Sequence, residues 1–201
     1  GLAGLILVEP DFGTAAVLVL VVTSIVFAAG LSYRFVIGTL LVMLPVAMGL
    51  ILAAPYRKRR LLAFLDPTSD TPGVNFQLSQ SLIAVGSGGA FGIGLMAGIQ
   101  KLYYLPEAHT DFIYAVAGEE LGLLGTGLIL TCFAIMGWRG MRTSLLAPDR
   151  FGSLLALGLT MMVLLQALVN ISVVLGMLPT KGIPLPFVSN GGSSLVINLV
   201  A

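Results

Sequence analysis

Two long stretches without a charged residue constrain the fold of this chain more than any other feature. They run from Thr14 to Gly30 and from Phe35 to Ala54, and about 20 apolar residues are enough to cross a lipid bilayer as a helix. Two further stretches, Phe112 to Trp138 and Gly152 to Met177, are similarly apolar and contain few charged residues. Hydropathy therefore predicts four membrane-spanning helices at about 14–30, 35–54, 112–138 and 152–177.

The composition excludes several classes of protein. Hydrophobic residues make up 57% of the chain and charged residues 9%, against roughly 45–50% and 25% in soluble domains. With a net charge of +1 and a mean hydropathy of +1.03, the chain has too few charges to cover a water-facing surface or to bind a nucleic-acid backbone. The single cysteine, Cys132, forms no disulfide within the chain. We therefore expect an all-α, polytopic helical membrane protein that binds no nucleic acid.

Both ends of the chain are apolar but shorter than a bilayer-spanning helix. Residues 1–8 have the character of the end of a membrane helix, and residues 192–201 that of the beginning of another. We interpret them as partial spans. The chain is then the C-terminal part of a larger protein, and residues 1–201 form part of a single membrane domain.

The connections between the predicted spans are unequal in length. Residues 55–111 form a loop far longer than a usual connection, which favours a functional role for it. Within it, Phe76 to Ile99 is apolar but interrupted by six glycines, which favours a partly buried re-entrant segment; a true additional span is the alternative. Counting Lys and Arg residues would place the long loop in the cytoplasm, but this rule alone leaves the orientation open.

The ionisable residues cluster on the membrane face that carries the long loop. This distribution suits an enzyme acting on the head group of a lipid-linked substrate, because ion-coupled transporters usually place an ionisable group near the middle of the membrane. The basic run Arg57-Lys58-Arg59-Arg60 can bind the phosphates of a lipid pyrophosphate through bidentate guanidinium contacts. Ordinary attraction to anionic lipid head groups explains the run equally well.

Asp111 stands where the long loop meets the third predicted span. Together with Glu107 and His109 it can supply a general base or a pair of metal ligands. Helix capping by Thr110 or Asp111 is the alternative, since either side chain can accept bonds from free N–H groups at a helix start. A carboxylate stabilised in this way is a weaker base, so binding a divalent cation would suit it better.

Other polar features point less clearly to chemistry. On a straight helix, Glu119 would lie roughly 12 Å beyond Asp111, where a carboxylate needs a partner. Both catalysis and pairing with arginine remain open for Glu119 and its neighbour Glu120, which point in different directions. The glycine run at 86–94 lacks the Gly-Lys-Ser/Thr sequence of a phosphate loop, and a single histidine argues against a histidine zinc site.

Several segments, in order along the whole chain, resemble the motifs of one family. They are Glu9–Thr14, Pro55–Arg60 with Asp66-Pro67, Gln77–Leu82, Leu105–Phe112, Gly118–Gly122, Gly176–Gly182 and Ser189–Ser194. The chain thus resembles the SEDS family of shape, elongation, division and sporulation proteins, typified by FtsW, RodA and SpoVE, and is most similar to its division members. Asn190 departs from the family pattern, which usually has a tyrosine there, and this leaves the packing of the last loop open.

This resemblance implies a fold and an activity. The fold is a ten-helix bundle in the bacterial cytoplasmic (inner) membrane, with this chain as its later half and the long loop on the extracytoplasmic face. The activity is peptidoglycan glycosyltransfer, in which lipid II is polymerised into glycan strands at the outer face during cell division and undecaprenyl pyrophosphate is released. A lipid II flippase and a non-catalytic division scaffold are the alternatives.

The resemblance also implies roles for individual residues and partners. Asp111 occupies the position of the catalytic aspartate, where it would accept a proton or hold a divalent cation, Mg²⁺ or Mn²⁺; no organic cofactor is expected. The expected partners are a class B penicillin-binding transpeptidase and other division proteins. The candidate substrate-binding residues are Arg57, Arg59, Arg60, Gln80, Lys101, Glu107, His109, Lys181 and Ser193.

Overall fold

The computed structural model of the protein describes residues 12–65, 74–99, 109–190 and 198–199. These residues contain no β-strand, and the predicted all-α fold class is confirmed. The expected partial spans, 1–8 and 192–201, lie outside the described residues except for 198–199. The helices are α1 (Phe12–Ala28), α2 (Tyr33–Ala53), α3 (Pro55–Leu65), α4 (Val74–Ser87), α5 (Ile113–Leu146) and α6 (Arg150–Val174).

Local sequence signals explain where several helices begin and end. The carboxylate of Asp149 accepts a 2.7 Å hydrogen bond from the Gly152 N–H and caps the start of α6. At the end of α6, Gly176 has a φ of 70°. The N–H groups of Gly176 and Met177 donate back to Val173 and Ser172, the pattern of a Schellman cap, which requires a left-handed residue. α6 therefore ends sharply, and the chain turns into an irregular loop.

The helices pack around a core that α4, α5 and α6 share. α5 packs along α6, α1 packs on α6, and α4 packs on α5, while α3 contacts both α2 and α4. The residues of this core include Ala84 of α4, Tyr114 of α5, Val174 of α6 and, outside the helices, Phe112 and Leu185. Because the last two flank α5 and follow α6, the core anchors both of the loops that meet at the candidate site.

The predicted long loop contains two helices, α3 and α4. The apolar stretch from Phe76 to Ile99 is not one helix, since α4 ends at Ser87 and residues 88–99 are irregular. This agrees with the expectation of an interrupted segment. On the far side of α5, the helix continues to Leu146, so the connection to α6 is residues 147–149 rather than the predicted Arg139–Phe151. Arg139 and Arg142 therefore lie on the exposed last turns of a helix.

The sequence predicts one unbroken helix over Phe112–Trp138, and here the structure differs. Gly122 interrupts α5 with φ 65° and ψ −158°, a conformation that favours glycine. A Cβ atom on Gly118 would lie 3.5 Å from Cγ2 of Thr126, although eight residues of straight helix span about 12 Å. The two parts of α5 therefore meet at a sharp angle, and the part before Gly122 is too short to cross a membrane by itself.

Residues 88–99, which we call the docking segment, pack into this break. In an unbroken helix the N–H groups of residues 123 and 124 would donate to the carbonyls of residues 119 and 120. Instead, the backbone carbonyls of Glu119 and Glu120 accept from the N–H groups of Ile93 and Gly94, at 3.0 and 3.1 Å. The N–H groups of Leu123 and Leu124 donate to the carbonyls of Gly89 and Ala90, at 2.9 and 3.2 Å. The docking segment thus satisfies all four backbone groups.

Two of the described helices are long and apolar enough to cross a membrane, namely α5 and α6, and α1 and α2 contain shorter apolar helices. α2 exposes large apolar side chains along much of its length, including Leu41 and Val42. An apolar surface of this extent is typical of helices that contact lipid or other helices of a membrane bundle.

Candidate functional site

Asp111 lies in a turn, residues 109–112, that leads into α5. The N-cap of α5 is Phe112, whose own side chain makes no capping hydrogen bond. α5 therefore begins directly after Asp111, and helix capping by Thr110 or Asp111 stays an alternative to the catalytic interpretation. Phe112 is 3% exposed, and it fixes the end of the Asp111 turn in the hydrophobic core.

Three consecutive carbonyl groups of the Asp111 turn accept hydrogen bonds from the far end of the chain. The carbonyl of His109 accepts from the Asn190 N–H at 3.0 Å, and that of Thr110 accepts from the Ser189 hydroxyl. The carbonyl of Asp111 accepts from Nδ2 of Asn170 at 2.8 Å. Because its backbone is held on each of these residues, the turn presents the Asp111 side chain in a defined place.

Residues 175–190, which we call the last loop, are attached to α6 by two amide side chains. Gln166 donates to the carbonyl of Pro184 at 3.0 Å, and Asn170 donates to the carbonyl of Ile183 at 2.6 Å. The two amides are four residues apart and so share one face of the helix. Within the loop, the Leu185 N–H donates to the Ser189 hydroxyl at 2.7 Å.

The carboxylate of Asp111 lies directly against the last loop at Gly182. A Cβ atom on Gly182 would lie 2.6 Å from Oδ2 of Asp111, closer than real Cβ contacts allow. The position therefore needs glycine for space rather than for backbone conformation. The Asp111 carboxylate and the backbone of the last loop are in contact.

Two of the predicted cationic residues lie on this same part of the last loop. Lys181 precedes Gly182, its ammonium group is buried, and its side chain crosses over Gly13, where a Cβ atom would lie 2.6 Å from Cδ. Nη1 of Arg60, on α3, donates to the carbonyl of Thr180 at 3.3 Å. The structure thus brings Arg60, Asp111 and Lys181 to one stretch of four residues, 180–183.

The other predicted site residues are less closely connected. His109 is exposed and contributes its backbone carbonyl, and Gln80 is half-buried on α4 beside Ser81, whose hydroxyl donates to the carbonyl of Val174. Arg57 and Arg59 lie on α3, but their side chains are outside the described part of the chain. The remaining three candidates, Lys101, Glu107 and Ser193, lie outside the described residues.

The carboxylates of Glu119 and Glu120, on α5, pack against the docking segment. Glu119 is 2% exposed, and its Oε1 accepts from the Ile99 N–H at 3.0 Å. A Cβ atom on Gly98 would lie 2.9 Å from Oε2 of Glu119 and 3.0 Å from Oε1 of Glu120. Although neighbouring helical residues point in different directions, both carboxylates converge on Gly98, because their side chains are long enough to reach the same backbone.

The described residues contain no cation site built from protein side chains alone. None of them form a group of three or more His, Cys, Asp or Glu side chains that could hold a metal. Mg²⁺ sites often use one or two carboxylates and complete their shell with substrate phosphates and water. Asp111 therefore fits a cation that a phosphorylated substrate helps to hold, whereas the described residues provide no site made of protein groups alone.

Comparison with known proteins decides the family. The family model for FtsW/RodA/SpoVE cell cycle proteins matches residues 2–201. The chain belongs to this family. The resemblance inferred from the motifs is thus confirmed, and with the long apolar helices it makes the chain part of a helical membrane protein.

Similar proteins add detail to the family assignment. The chain is 48% identical, over 100% of its length and 52% of the relative's, to a protein of Trichlorobacter lovleyi named probable peptidoglycan glycosyltransferase FtsW. It is 46% identical, over 98% of its length and 53% of the relative's, to stage V sporulation protein E of Bacillus subtilis. The chain spans about half the length of the curated relatives it matches.

A solved structure shares the fold. That structure shows the structural coordination of polymerization and crosslinking by a peptidoglycan synthase complex. It matches this chain with a TM-score of 0.77 at 32% identity. The match covers 98% of this chain and 55% of that chain.

The sequence analysis missed the residues that build the frame of the site. The side chains of Gln166, Asn170 and Ser189 and the position of Gly182 are not among the catalytic or substrate-binding residues predicted from the sequence. A signal was present, because two amides four residues apart in an otherwise apolar helix must find hydrogen-bond partners. The departure at Asn190 is also explained: the residue contributes its backbone N–H and its side chain is exposed, so the usual tyrosine is not needed for this bond.

Proposed function

We propose that this chain carries the catalytic aspartate of a peptidoglycan glycosyltransferase that polymerises lipid II at the outer face of the bacterial cytoplasmic membrane during division. The observation that carries the proposal is the contact between the Asp111 carboxylate and the last loop at Gly182, beside Lys181 and Arg60. It places the carboxylate against the stretch of the last loop that carries Lys181 and accepts the hydrogen bond of Arg60. The names of the relatives support the same activity.

The chemistry follows from these groups. Asp111 accepts the proton of the acceptor sugar hydroxyl as that oxygen attacks the anomeric carbon of the donor. The pyrophosphate leaves with its charge, so it needs cationic groups rather than a general acid. Arg60 and Lys181 supply such groups here, and Arg57, Arg59 and Lys101 remain candidates for the same task. Asp111 is the residue that would hold a divalent cation, which would supply further charge stabilisation.

The setting is part of the proposal. The apolar helices cross the membrane as a multi-pass bundle, with the Asp111 turn, α3 and the last loop at the extracytoplasmic face. A class B penicillin-binding transpeptidase would crosslink the strands that this enzyme makes, in line with the coupling of polymerization and crosslinking in the structurally similar complex. Other division proteins would recruit the pair.

Transport of lipid II is a weaker alternative. A flippase needs a polar path through the membrane, and the sequence offers Gln166, Asn170 and the two glutamates for it. Gln166 and Asn170 donate to backbone carbonyls of the last loop and the Asp111 turn, and Glu119 accepts from the Ile99 N–H. These polar side chains therefore bind irregular backbone segments of the protein, which argues against their lining a transport path.

The test uses the full-length protein together with its transpeptidase partner, supplied with labelled lipid II and a divalent cation in detergent. Asp111→Asn and Asp111→Ala are expected to lose about 10²–10⁴-fold in polymerisation rate while still folding and binding the partner. Asp149→Asn is the matched control, because asparagine also caps a helix and α6 keeps its N-terminal bond. Wild-type rates in both Asp111 variants would refute the catalytic assignment. If the wild type itself makes no polymer, lipid II flipping in liposomes becomes the next assay.

A further inference from the structure

Asn170 is a buried polar residue in the apolar helix α6, and its 1% exposure makes its hydrogen bonds decisive. Its Nδ2 donates to the carbonyl of Asp111 at 2.8 Å and to the carbonyl of Ile183 at 2.6 Å. Both neighbours are carbonyl oxygens, which can only accept. The NH₂ group must therefore face them, and this fixes the orientation of the amide.

The acceptor half of the Asn170 amide, Oδ1, has a different environment from the NH₂ group. Oδ1 of Asn170 is buried and has no hydrogen-bond partner among the residues that the structure describes. An unsatisfied buried acceptor is unfavourable, and a leucine of similar size would avoid it. The two hydrogen bonds that Nδ2 donates are therefore the advantage of asparagine over leucine at position 170.

These two bonds reach the segments on either side of the Asp111 carboxylate. One holds the backbone of Asp111 itself. The other holds Ile183, which directly follows Gly182, the residue against which Oδ2 of Asp111 lies. A single NH₂ group therefore ties the turn that carries the carboxylate to the loop segment that carries Lys181.

We propose that Asn170 is a positioning residue that sets the separation between the Asp111 carboxylate and the Lys181–Ile183 segment. Its side chain acts through these backbone groups and does not touch substrate. The inference rests on the proposed glycosyltransferase function for its effect on catalysis, whereas its effect on the geometry of the Asp111 turn is independent of any activity. The experiment therefore has one measurement for each.

The first measurement is amide hydrogen exchange in the full-length protein, followed in peptides covering residues 109–116. Asn170→Leu removes both donors and keeps the volume, and it is expected to speed exchange in these peptides about tenfold or more. Gln166→Leu is the matched control on the same helix face, since it removes a bond to Pro184 but none to the Asp111 turn. The control is expected to leave exchange in these peptides unchanged.

The second measurement is a double-mutant cycle in the polymerisation assay with the transpeptidase partner. Asn170→Leu is expected to lower kcat about 10²-fold, as a small misplacement of a catalytic group does, with KM changed less than about twofold because the Asn170 side chain does not itself touch substrate. In an Asp111→Asn background, Asn170→Leu should cause no further loss, since its effect passes through the carboxylate.

Asn170→Asp guards against misfolding of the leucine variant. In its neutral form this side chain has the shape of asparagine but a single donor, so its exchange rate and kcat should fall between those of the wild type and Asn170→Leu. Unchanged exchange in both variants would overturn the proposal, and so would an equal loss of rate with and without the Asp111 carboxylate. A wild type without polymerase activity would refute the proposed function, and the exchange comparison would still decide whether Asn170 holds the turn.

Discussion

Two irregular regions pack inside this helical protein, the Asp111 turn with the last loop and the docking segment, and mainly different chemical groups hold them. Side chains make most of the bonds that hold the Asp111 turn and the last loop: Asn170, Gln166 and Ser189 each donate to a backbone carbonyl, and the Asn190 N–H adds one backbone bond. Backbone groups make most of the bonds that hold the docking segment, which fills the break in α5 through four main-chain hydrogen bonds, and the Glu119 side chain adds one at the Ile99 N–H. Both arrangements satisfy backbone groups that an apolar interior cannot leave unpaired.

The two arrangements make opposite demands on the sequence. The docking segment needs the absence of side chains, since a Cβ atom on Gly88 or Gly92 would lie about 2 Å from a carbonyl oxygen of α5, at 1.9 and 2.0 Å respectively. The Asp111 turn needs particular polar atoms at particular distances. The difference predicts that substitutions in the docking segment and the α5 break act on folding. Substitutions around the Asp111 turn and the last loop should act on the geometry of the Asp111 carboxylate.

The largest effect is expected for Gly122→Ala, which disrupts the break in α5 where the docking segment packs. The residue has a φ of 65°, and its Cβ atom would lie 2.3 Å from the Gly92 nitrogen. Backbone strain and a clash with main-chain atoms act together, so we expect a loss of at least about 3 kcal/mol in stability. The measurement is thermal unfolding and the yield of folded full-length protein in detergent.

Gly127→Ala supplies the control for that substitution. It lies on the same helix five residues further on, and nothing lies within 4 Å of its Cβ position. Alanine is the better helix former by about 1 kcal/mol, so this variant should unfold at the same temperature as the wild type or slightly higher. Equal unfolding temperatures for the two alanine variants would show that the break in α5 does not depend on glycine.

The next effect, from Gly182→Ala, should separate activity from stability. Its Cβ atom would lie 2.6 Å from Oδ2 of Asp111, and the end of a side chain can move where backbone cannot. We expect the carboxylate to shift, the polymerisation rate to fall about 10²-fold, and the unfolding temperature to change little.

Gly86→Ala is the control for this comparison, since nothing lies within 4 Å of its Cβ position. It should retain the wild-type rate. If Gly182→Ala polymerises lipid II as fast as Gly86→Ala, the contact between Asp111 and the last loop has no part in the reaction. If Gly182→Ala instead fails to fold, the last loop resembles the docking segment, and the contrast between the two regions is lost.

The sequence predicted the fold class and the family, because apolar stretches and ordered motifs are properties of the chain itself. It also singled out Asp111, Lys181 and Arg60, which the structure brings to residues 180–183. These residues stand out in an apolar chain because a charged side chain there is unfavourable unless it has a partner or a function.

The frame of the site was not predictable in the same way. The contacts of Asn170 with Asp111 and of Asn190 with His109 join residues far apart in the chain, and no local periodicity encodes them. The break at Gly122 was missed because a glycine within an apolar helical pattern is usually tolerated. What marks Gly122 as a break is the docking segment, whose glycines lie thirty residues earlier and whose role appears only once the two meet.

Ser189→Ala should have a moderate effect on stability. The substitution leaves the Leu185 N–H without its 2.7 Å acceptor and removes the donor to the Thr110 carbonyl. Unsatisfied buried groups of this kind cost about 1–3 kcal/mol, which thermal unfolding can detect. Ser24→Ala is the control, since its exposed hydroxyl donates only to Leu20 of its own helix. A loss no greater than in the control would mean that the Asp111 turn is held well enough by Asn170 and Asn190.

The smallest effect is expected for Ser81→Ala, which removes a bond between α4, the helix before the docking segment, and the end of α6. Ser81 is fully buried on α4, which leads into the docking segment, and its hydroxyl donates at 2.7 Å to Val174, the last residue of α6 before the last loop. Losing one neutral hydrogen bond should cost about 1 kcal/mol. Because Ser81 contacts neither Gly122 nor Asp111 through this bond, the polymerisation rate should stay within about twofold of the wild type. A larger loss of rate would show that the two regions are coupled through the ends of α4 and α6, so that the docking segment also sets the position of the carboxylate.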